Sequence, residues 1–258
     1  MEKVIALESR LRHCCNVETL GVLPNFCDYD PEQRRKIHSA KKIYYPSQRY
    51  AELFAAIGKP TFPTFHNYTC AQDKIKQTIL LNMLDISHPR TRVFYGKHQK
   101  GAIRQYFSFP FIAKVPRGSA MGRGVFLIQT FAALEDYLAL NTPAYIQEYL
   151  PVQRDLRILI IGRKIVHAYW RKAAAGEFRA NVAKGGTISF ENIPKAALDL
   201  ALHTALSCRW NDVGIDICEH DNTFYVLEGN MKYGKEGFRA AGIDYVHLME
   251  TMIKKGEI

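Results

Sequence analysis

Several signatures that would assign a function directly are missing from the 258-residue sequence. It contains no CxxC pair, so we expect no cysteine-rich zinc site, and its six scattered cysteines are typical of a reducing compartment. No stretch reaches the ~18 apolar residues of a membrane helix. The apolar run at Val4–Leu7 is too short for a signal peptide, and we therefore expect a cytoplasmic protein without a membrane partner.

The common nucleotide-binding and nucleic-acid-binding motifs are also absent. There is no GxxxxGK[ST] phosphate loop, no GxGxxG after a strand, and no kinase HRD or DFG triplet. Zinc-finger spacing, a basic zipper and the aromatic ribonucleoprotein motif are missing too, so nucleic acid is not an expected partner. The composition, 47% hydrophobic and 23% charged, is that of an ordinary globular protein.

The sequence has an excess of positive charge, which lies mostly in its first half. Lys and Arg number 35 against 25 Asp and Glu, giving a net charge of +10. Residues 1–110 carry 17 basic and 9 acidic side chains, whereas residues 111–258 carry 18 and 16. Such an excess can face nucleic acid, an acidic protein tail or anionic metabolites, but a solvated lysine-rich surface explains it equally well.

Hydrophobic patterning predicts an α+β protein in which hairpins dominate the second half. Helices are predicted at Ala71–Leu84, at Ala132–Leu140 and from Ile193 to Cys208, and Ala51–Ile57 could form another. The predicted strands of the second half are Phe111–Val115, Val125–Ile128, Ala144–Leu150, Leu156–Ile161, Lys164–Tyr169, Val213–Cys218 and Phe224–Glu228.

A nine-residue glycine-rich loop, Pro116–Gly124, separates the first two of these strands. Such a loop can expose backbone N–H groups to a polyanion and cover it as a lid, although a flexible hairpin loop would look the same. Lys114 stands in the apolar strand just before the loop. A buried lysine needs an opposite charge, which bound phosphate would supply; the alternative is an edge strand with Lys114 in solvent.

Three oxygen-bearing side chains occur in the last predicted hairpin. Asp216 lies within its first strand, and Glu228 and Asn230, two residues apart, share one face of its second strand. The short turn brings Asp216 beside them, and this donor set suits Mg²⁺ shared with a nucleotide. Alternatively, the two acids form salt bridges with nearby arginines.

Arg179 and Asn181 lie between the glycine-rich loop and these acids. An arginine in such a place can stabilise charge on a transferring phosphoryl group, whereas an exposed loop arginine is the ordinary alternative.

Taken in order, these segments resemble the ATP-grasp superfamily and, within it, the RimK-like amino-acid ligases. The resemblance runs from about Asp73 to Asp244 and is carried by seven short segments: Ala71–Lys74, Phe111–Lys114, Ile146–Leu150, Arg154–Arg157, Gly176–Asn181, Gly214–Asp216 and Leu227–Asn230.

The resemblance implies an ATP-grasp domain over residues 71–258, whose two α+β lobes, about 71–150 and 151–258, clamp ATP. Residues 1–70 match poorly and would form a short, diverged N-terminal α/β domain. The implied chemistry is carboxylate–amine ligation. A carboxylate attacks the γ-phosphate to give an acyl phosphate, and an amine then displaces phosphate to form an amide.

The resemblance also implies a role for each matching residue. Two Mg²⁺ ions, with Mn²⁺ as an alternative, would be held by Asp216, Glu228 and Asn230. The lysines would bind the phosphates, Glu148 and Tyr149 would lie beside the adenine, and Asp155 would contact the ribose. The full ATP-binding set would be Lys74, Lys114, Ser119, Gly122, Gly124, Glu148, Tyr149, Asp155 and Asn181. The catalytic set would be Arg179, facing the phosphates or the acyl phosphate, with Arg157 and Arg171 facing a substrate carboxylate.

The sequence departs from the family pattern next to the expected metal ligands. Lys232 and Tyr233 stand where the family usually has Ser-Pro, and Gly229 stands where valine is usual. Lys232 and Tyr233 lie near the expected acceptor region. Their presence there indicates either a more anionic acceptor or a different chemistry.

Three functions are compatible with these observations. The leading hypothesis is an ATP- and Mg²⁺-dependent ligase that joins glutamate or a similar amino acid to a carboxylate acceptor, which is either a small molecule or an acidic protein tail. The second is a small-molecule peptide or amide ligase of a biosynthetic pathway. The third is a basic binding module built on an ATP-grasp shell. A homo-oligomer is left open.

Overall fold

The computed structural model describes residues 3–118, 124–173 and 186–258. Three β-sheets with packed helices make up these ranges, which confirms the predicted α+β class. Within them the thirteen strands are β1 (Val4–Ala6), β2 (Val17–Thr19), β3 (Ile43–Tyr44), β4 (Thr61–Phe62), β5 (Thr91–Phe94), β6 (Phe111–Lys114), β7 (Val125–Ile128), β8 (Ala144–Glu148), β9 (Arg154–Ile161), β10 (Lys164–Lys172), β11 (Thr187–Ser189), β12 (Asp212–His220) and β13 (Thr223–Asn230).

The α-helices of the same ranges pack on these sheets, and none of them is long and apolar enough to cross a membrane. They are α1 (Pro31–Ser39), α2 (Ser47–Ala56), α3 (Phe65–Cys70), α4 (Lys74–Met83), α5 (Gly96–Gly101), α6 (Ile103–Tyr106), α7 (Phe131–Leu140), α8 (Lys195–Ser207), α9 (Glu236–Ala240) and α10 (Tyr245–Lys254).

The first sheet, called here the N-terminal sheet, is parallel, with strand order β2-β1-β3-β4. Parallel neighbours need crossover connections, and helices α1 and α2 supply them on either side of β3. Helix α1 begins with a capping box, in which Asp30 accepts a hydrogen bond from the backbone N–H of Gln33 and the Gln33 side chain accepts one from Asp30. A buried core that includes Ile37 and Phe54 holds this layer together.

The second sheet, the middle sheet, is antiparallel with order β5-β8-β6-β7. Its core contains Phe94, Phe111 and Leu134. Strand β6 is paired on both sides, so Lys114 at its end lies inside the sheet and is buried. The alternative of an edge strand with Lys114 in solvent is therefore wrong.

The third sheet, the C-terminal sheet, is antiparallel with order β11-β10-β9-β12-β13. The two predicted hairpins, β9–β10 and β12–β13, are both present. Successive residues of β9 alternate between two buried layers. Ile158 and Ile160 pack towards helix α8, whereas Leu159 and Ile161 pack towards helix α10.

Helix α4 packs on the C-terminal sheet although it precedes the middle sheet in sequence. Its residue Leu81, together with Ile86 just after the helix, belongs to the same buried cluster as Ile158 of β9. The predicted stripe of Leu80, Leu81 and Leu84 is thus the face that the helix buries. Cys208 and Cys218 are buried, as the sequence predicted.

Candidate active site

Two lysines from different parts of the chain lie close together at the mouth of the glycine-rich loop. Lys74 is the first residue of helix α4, and its backbone N–H donates to the carbonyl of Pro116 (3.0 Å). Arg117 strengthens this connection through an ion pair with Asp73 (3.0 Å). Lys114 is buried at the end of β6, and burial lowers its pKa, with a smaller contribution from neighbouring Lys74. Two ammonium groups therefore converge where the loop begins.

Carboxylates of the C-terminal sheet face these lysines. In the β12–β13 hairpin Asp216 lies directly opposite Glu228, and directly paired residues of an antiparallel ladder share a face. Glu228 raises the pKa of Lys114 against the effect of burial, and Asp216 acts in the same direction. Lys114, Asp216 and Glu228 are therefore neighbours in the folded chain, and their roles stay predictions.

Asp216 also forms salt bridges with two arginines, which is the alternative that the sequence left open. Arg157, opposite it on β9, donates to both of its carboxylate oxygens, and the second of these bonds is 2.8 Å long. Arg171 of β10 approaches one of the same oxygens at 2.9 Å. Burial alone would raise the pKa of Asp216, but Arg157 and then Arg171 outweigh it and hold that pKa below its ordinary value.

Asp155 completes this buried group. Both of its oxygens accept hydrogen bonds from Arg171, at 2.7 and 2.8 Å. Burial raises the pKa of Asp155, and Arg171 opposes this shift. Arg157 and Arg171, which the resemblance assigns to a substrate carboxylate, thus each hold a carboxylate of the protein itself. The ribose contact of Asp155 and the substrate contacts of both arginines stay predictions.

Strand β13 is fixed by a residue that the sequence did not single out. The side-chain amide of Gln77 on helix α4 donates to the carbonyl of Gly229 (2.8 Å), and its oxygen accepts from the Gly229 N–H (2.9 Å). Gly229 separates Glu228 from Asn230, so this pair of bonds sets the position of both side chains. The only signal in the sequence is a polar residue inside an apolar helical stripe.

The structure explains why glycine replaces valine at position 229. A Cβ atom built there would lie 2.6 Å from the ring of the buried Trp210, closer than real Cβ contacts. The indole therefore occupies the space that a valine side chain would need.

Gly229→Ala should consequently lower the free energy of unfolding by about 1–3 kcal/mol, because the Trp210 ring must move. Urea unfolding of the purified protein measures this change. Gly101→Ala is the matched control, since a Cβ atom at Gly101 meets nothing within 4 Å. Equal stability of both variants would contradict the packing argument.

The predicted hinge residues lie at the end of β8, where Glu148 is the last residue of the strand and Tyr149 follows it. One side-chain oxygen of Glu148 accepts from the backbone N–H of Arg90 (2.5 Å), and the Glu148 N–H donates to the Arg90 carbonyl (2.9 Å). Tyr149 is half-buried. The side chain and the backbone N–H of Glu148 are thus both bonded to Arg90, and its contact with adenine stays a prediction.

Seven charged side chains of the described residues gather in this region, four cations and three carboxylates: Lys74, Lys114, Arg157, Arg171, Asp155, Asp216 and Glu228. The excess of positive charge favours a polyanion. The described residues contain no cluster of three or more His, Cys, Asp or Glu side chains that could hold a metal alone. Glu228 and the Asn230 amide have oxygen atoms that suit Mg²⁺, which usually shares its ligands between protein and nucleotide phosphates, whereas both oxygens of Asp216 are bonded to arginines.

Four predicted site residues, Ser119, Gly122, Arg179 and Asn181, lie outside the described residues. Of the glycine-rich loop, Gly124 is described, and its carbonyl accepts a hydrogen bond from Val115 (2.7 Å).

Comparison with solved structures identifies the fold. The RimK domain ATP-grasp protein of Sphaerobacter thermophilus matches 96% of this chain and 98% of its own chain, with a TM-score of 0.70 and 17% identity. The middle and C-terminal sheets, with Lys114 on the first and Asp216 and Glu228 on the second, therefore belong to an ATP-grasp fold.

Comparison of sequences then identifies the family. The RimK-like ATP-grasp domain profile matches residues 71–253, and the chain belongs to this family. The probable alpha-L-glutamate ligase of Shewanella loihica is 32% identical over 194 residues, which are 72% of this chain and 64% of that protein. The ribosomal protein bS6–L-glutamate ligase of Salmonella paratyphi B is 30% identical over 195 residues, 72% and 65% respectively. The chain spans just under two thirds of the length of these relatives.

Proposed function

We propose that this protein is an ATP- and Mg²⁺-dependent carboxylate–amine ligase that joins glutamate or a similar amino acid to an acceptor through an acyl phosphate. The observation that carries the proposal is buried Lys114, which has Lys74 of helix α4 beside it and faces Glu228 and Asp216 of the C-terminal sheet. This arrangement suits a nucleotide polyphosphate and its metal. The names of the two relatives support glutamate as the amino acid.

The chain's own residues would carry out distinct parts of this reaction. Lys74 and Lys114 would bind the phosphates and hold the γ-phosphorus in place, and Asp216, Glu228 and Asn230 would hold Mg²⁺. Bound Mg²⁺ would neutralise phosphate charge. Gln77 keeps Glu228 and Asn230 in place through the Gly229 backbone.

The bond changes balance without any further reactant. A carboxylate oxygen of one substrate attacks the γ-phosphorus, and the bond to the ADP oxygen breaks, leaving an acyl phosphate and ADP. The amine nitrogen of the second substrate then attacks the acyl carbon. Inorganic phosphate leaves with the bonding electrons, and the nitrogen releases a proton.

ADP release with Mg·ATP tests this function. The purified protein is offered a panel of amino acids, singly and in pairs, and the products are identified by mass spectrometry. We expect ADP release that depends on glutamate or a similar amino acid and on an acceptor carboxylate, with an amide as product. A protein that binds no Mg·ATP at millimolar concentration would overturn the proposal.

Lys114→Met should weaken ATP binding by roughly 10- to 100-fold, because a charge-assisted contact with phosphate is lost. The variant should be at least as stable as the parent, since burial opposes the Lys114 charge. Because the pKa of Lys114 is lowered, this gain in stability is full below the folded-state pKa and shrinks as the pH rises from there to 10.5.

Calorimetric titration with ATP and thermal unfolding measure the two effects on Lys114→Met. The control is Lys254→Met, at an exposed position on helix α10. Unchanged ATP affinity in Lys114→Met would remove Lys114 from the nucleotide site.

A further inference from the structure

A second cleft lies beside the candidate active site, between the N-terminal sheet and the segment that follows Asn230. Its volume is about 830 Å³. The lining comes from both ends of the chain and includes Glu8, Arg10, Arg12, Thr19, Lys232 and Lys235.

The cleft is continuous with the expected metal ligands and phosphate-binding residues. The side-chain oxygen of Asn230 accepts a hydrogen bond from the backbone N–H of Lys232 (3.1 Å), and Met231 between them lines the cleft. Ala71, three residues before Lys74, lines it as well. A molecule in the cleft can therefore present one group to the nucleotide phosphates.

One cation of the cleft is fixed and neutralised by the protein. Arg10 lies 4.0 Å from the buried carboxylate of Asp212, and its guanidinium stacks on the ring of Tyr233 at 4.6 Å from the centroid. Tyr233 is itself buried and donates to Asp212, as does Tyr45. This gives Tyr233, in place of the usual Ser-Pro, a packing role in holding Arg10 at the cleft.

The remaining charges of the cleft leave an excess of cations. Arg12, Lys232 and Lys235 stand against one carboxylate, Glu8. Burial raises the pKa of Glu8 although Lys232 opposes the shift. Burial also lowers the pKa of Lys235, and nearby Arg10 lowers it further. An anionic molecule would relieve this crowding of positive charge.

Three cleft-lining residues also carry a buried polar atom that has no hydrogen-bond partner among the described residues: Nη2 of Arg10, Oγ1 of Thr19 and the hydroxyl of Tyr68. Buried polar atoms are normally paired, so this part of the cleft has unused hydrogen-bonding capacity.

Building on the proposed ligase function, we propose that this cleft binds the acceptor, and that Lys232 and Lys235 select an acceptor bearing two or more carboxylates. Either the acidic end of a peptide or a small polycarboxylic acid has this chemistry. One carboxylate would enter the phosphate site and react, while Lys232 and Lys235 would bind the others. The specificity would thus depend in part on Lys232, which replaces part of the family's usual Ser-Pro pair.

Calorimetry on the full chain tests the proposal with two probes, a triglutamate peptide and propane-1,2,3-tricarboxylate, each with and without a non-hydrolysable ATP analogue and Mg²⁺. We expect at least one probe to bind, with affinity that falls as salt rises. A triglutamine amide should bind at least about tenfold more weakly. Binding of the peptide alone would identify a peptide acceptor, and binding of the tricarboxylate alone a small molecule; either result supports the proposal.

Charge-changing variants locate the binding. Lys232→Gln and Lys235→Gln should each weaken binding of the probe about tenfold. Lys232→Arg should retain it, and so should the control Lys254→Gln, which removes a charge far from the cleft lining. Affinity for the ATP analogue should stay the same in all four variants, which separates a local effect from loss of the fold.

Absence of binding by both probes would overturn the proposal, and so would an equal effect of Lys254→Gln and Lys232→Gln. If the protein still bound the ATP analogue and released ADP with a monocarboxylate acceptor, the ligase function would stand and only the acceptor class would be wrong. Failure to bind the ATP analogue would instead contradict the ligase function.

Discussion

Glu228→Gln should reduce ADP release by at least about 100-fold while leaving the fold intact. Glu228 is half-buried and, unlike Asp216, is not held by an arginine of the described residues. The substitution keeps shape and volume but removes the negative charge that faces Lys114 and that Mg²⁺ would need. Steady-state ADP release at several Mg²⁺ concentrations measures the effect, together with thermal unfolding of the variant.

The matched control for this prediction is Glu219→Gln on the neighbouring strand β12. Glu219 is exposed, so the same loss of charge should leave activity unchanged. Full activity of Glu228→Gln would refute its assignment as a metal ligand.

Asp216→Asn should have a different effect, a loss of about 3–5 kcal/mol in the free energy of unfolding. Asp216 lies between Arg157 and Arg171, and the neutral amide would leave two buried guanidiniums short of negative charge. Because the arginines lower the pKa of Asp216, its contribution to stability is full above its ordinary pKa of 3.8 and is lost as the pH falls below that value.

Urea unfolding at pH 7 and at pH 3 measures the difference in the free energy of unfolding between the parent and Asp216→Asn. This difference should be smaller at pH 3. Asp199→Asn is the control, because the Lys195–Asp199 pair is exposed and its removal should cost less than about 1 kcal/mol. A variant as stable as the parent at pH 7 would show that the arginines do not depend on Asp216.

These two acids show what the sequence can and cannot predict. Local patterning correctly predicted both hairpins and the shared face of Glu228 and Asn230, because alternation along one strand decides which side chains lie together. The position of Arg157 opposite Asp216 depends on the pairing of β9 with β12, which are far apart in sequence. Nothing in local patterning determines that register, so the arginine contacts could be raised only as an alternative.

The same limit applies to contacts between separate layers. The burial of Lys114 could be anticipated from its apolar strand. The two hydrogen bonds between Gln77 and Gly229, by contrast, join residues 152 positions apart. The Trp210 ring over Gly229 likewise depends on how helix α8 and strand β13 pack. Such contacts follow from the assembled fold and leave only faint traces, such as a polar residue in an apolar stripe.

The packing of helix α4 has a consequence for how the two lysines reach a nucleotide. Lys74 begins a helix whose Leu81 is buried in the C-terminal core and whose Gln77 bonds to strand β13. Lys114 belongs to the middle sheet, which has a core of its own. The two ammonium groups are therefore anchored in different hydrophobic cores, and the bond between Lys74 and Pro116 is one of the contacts that bring them together.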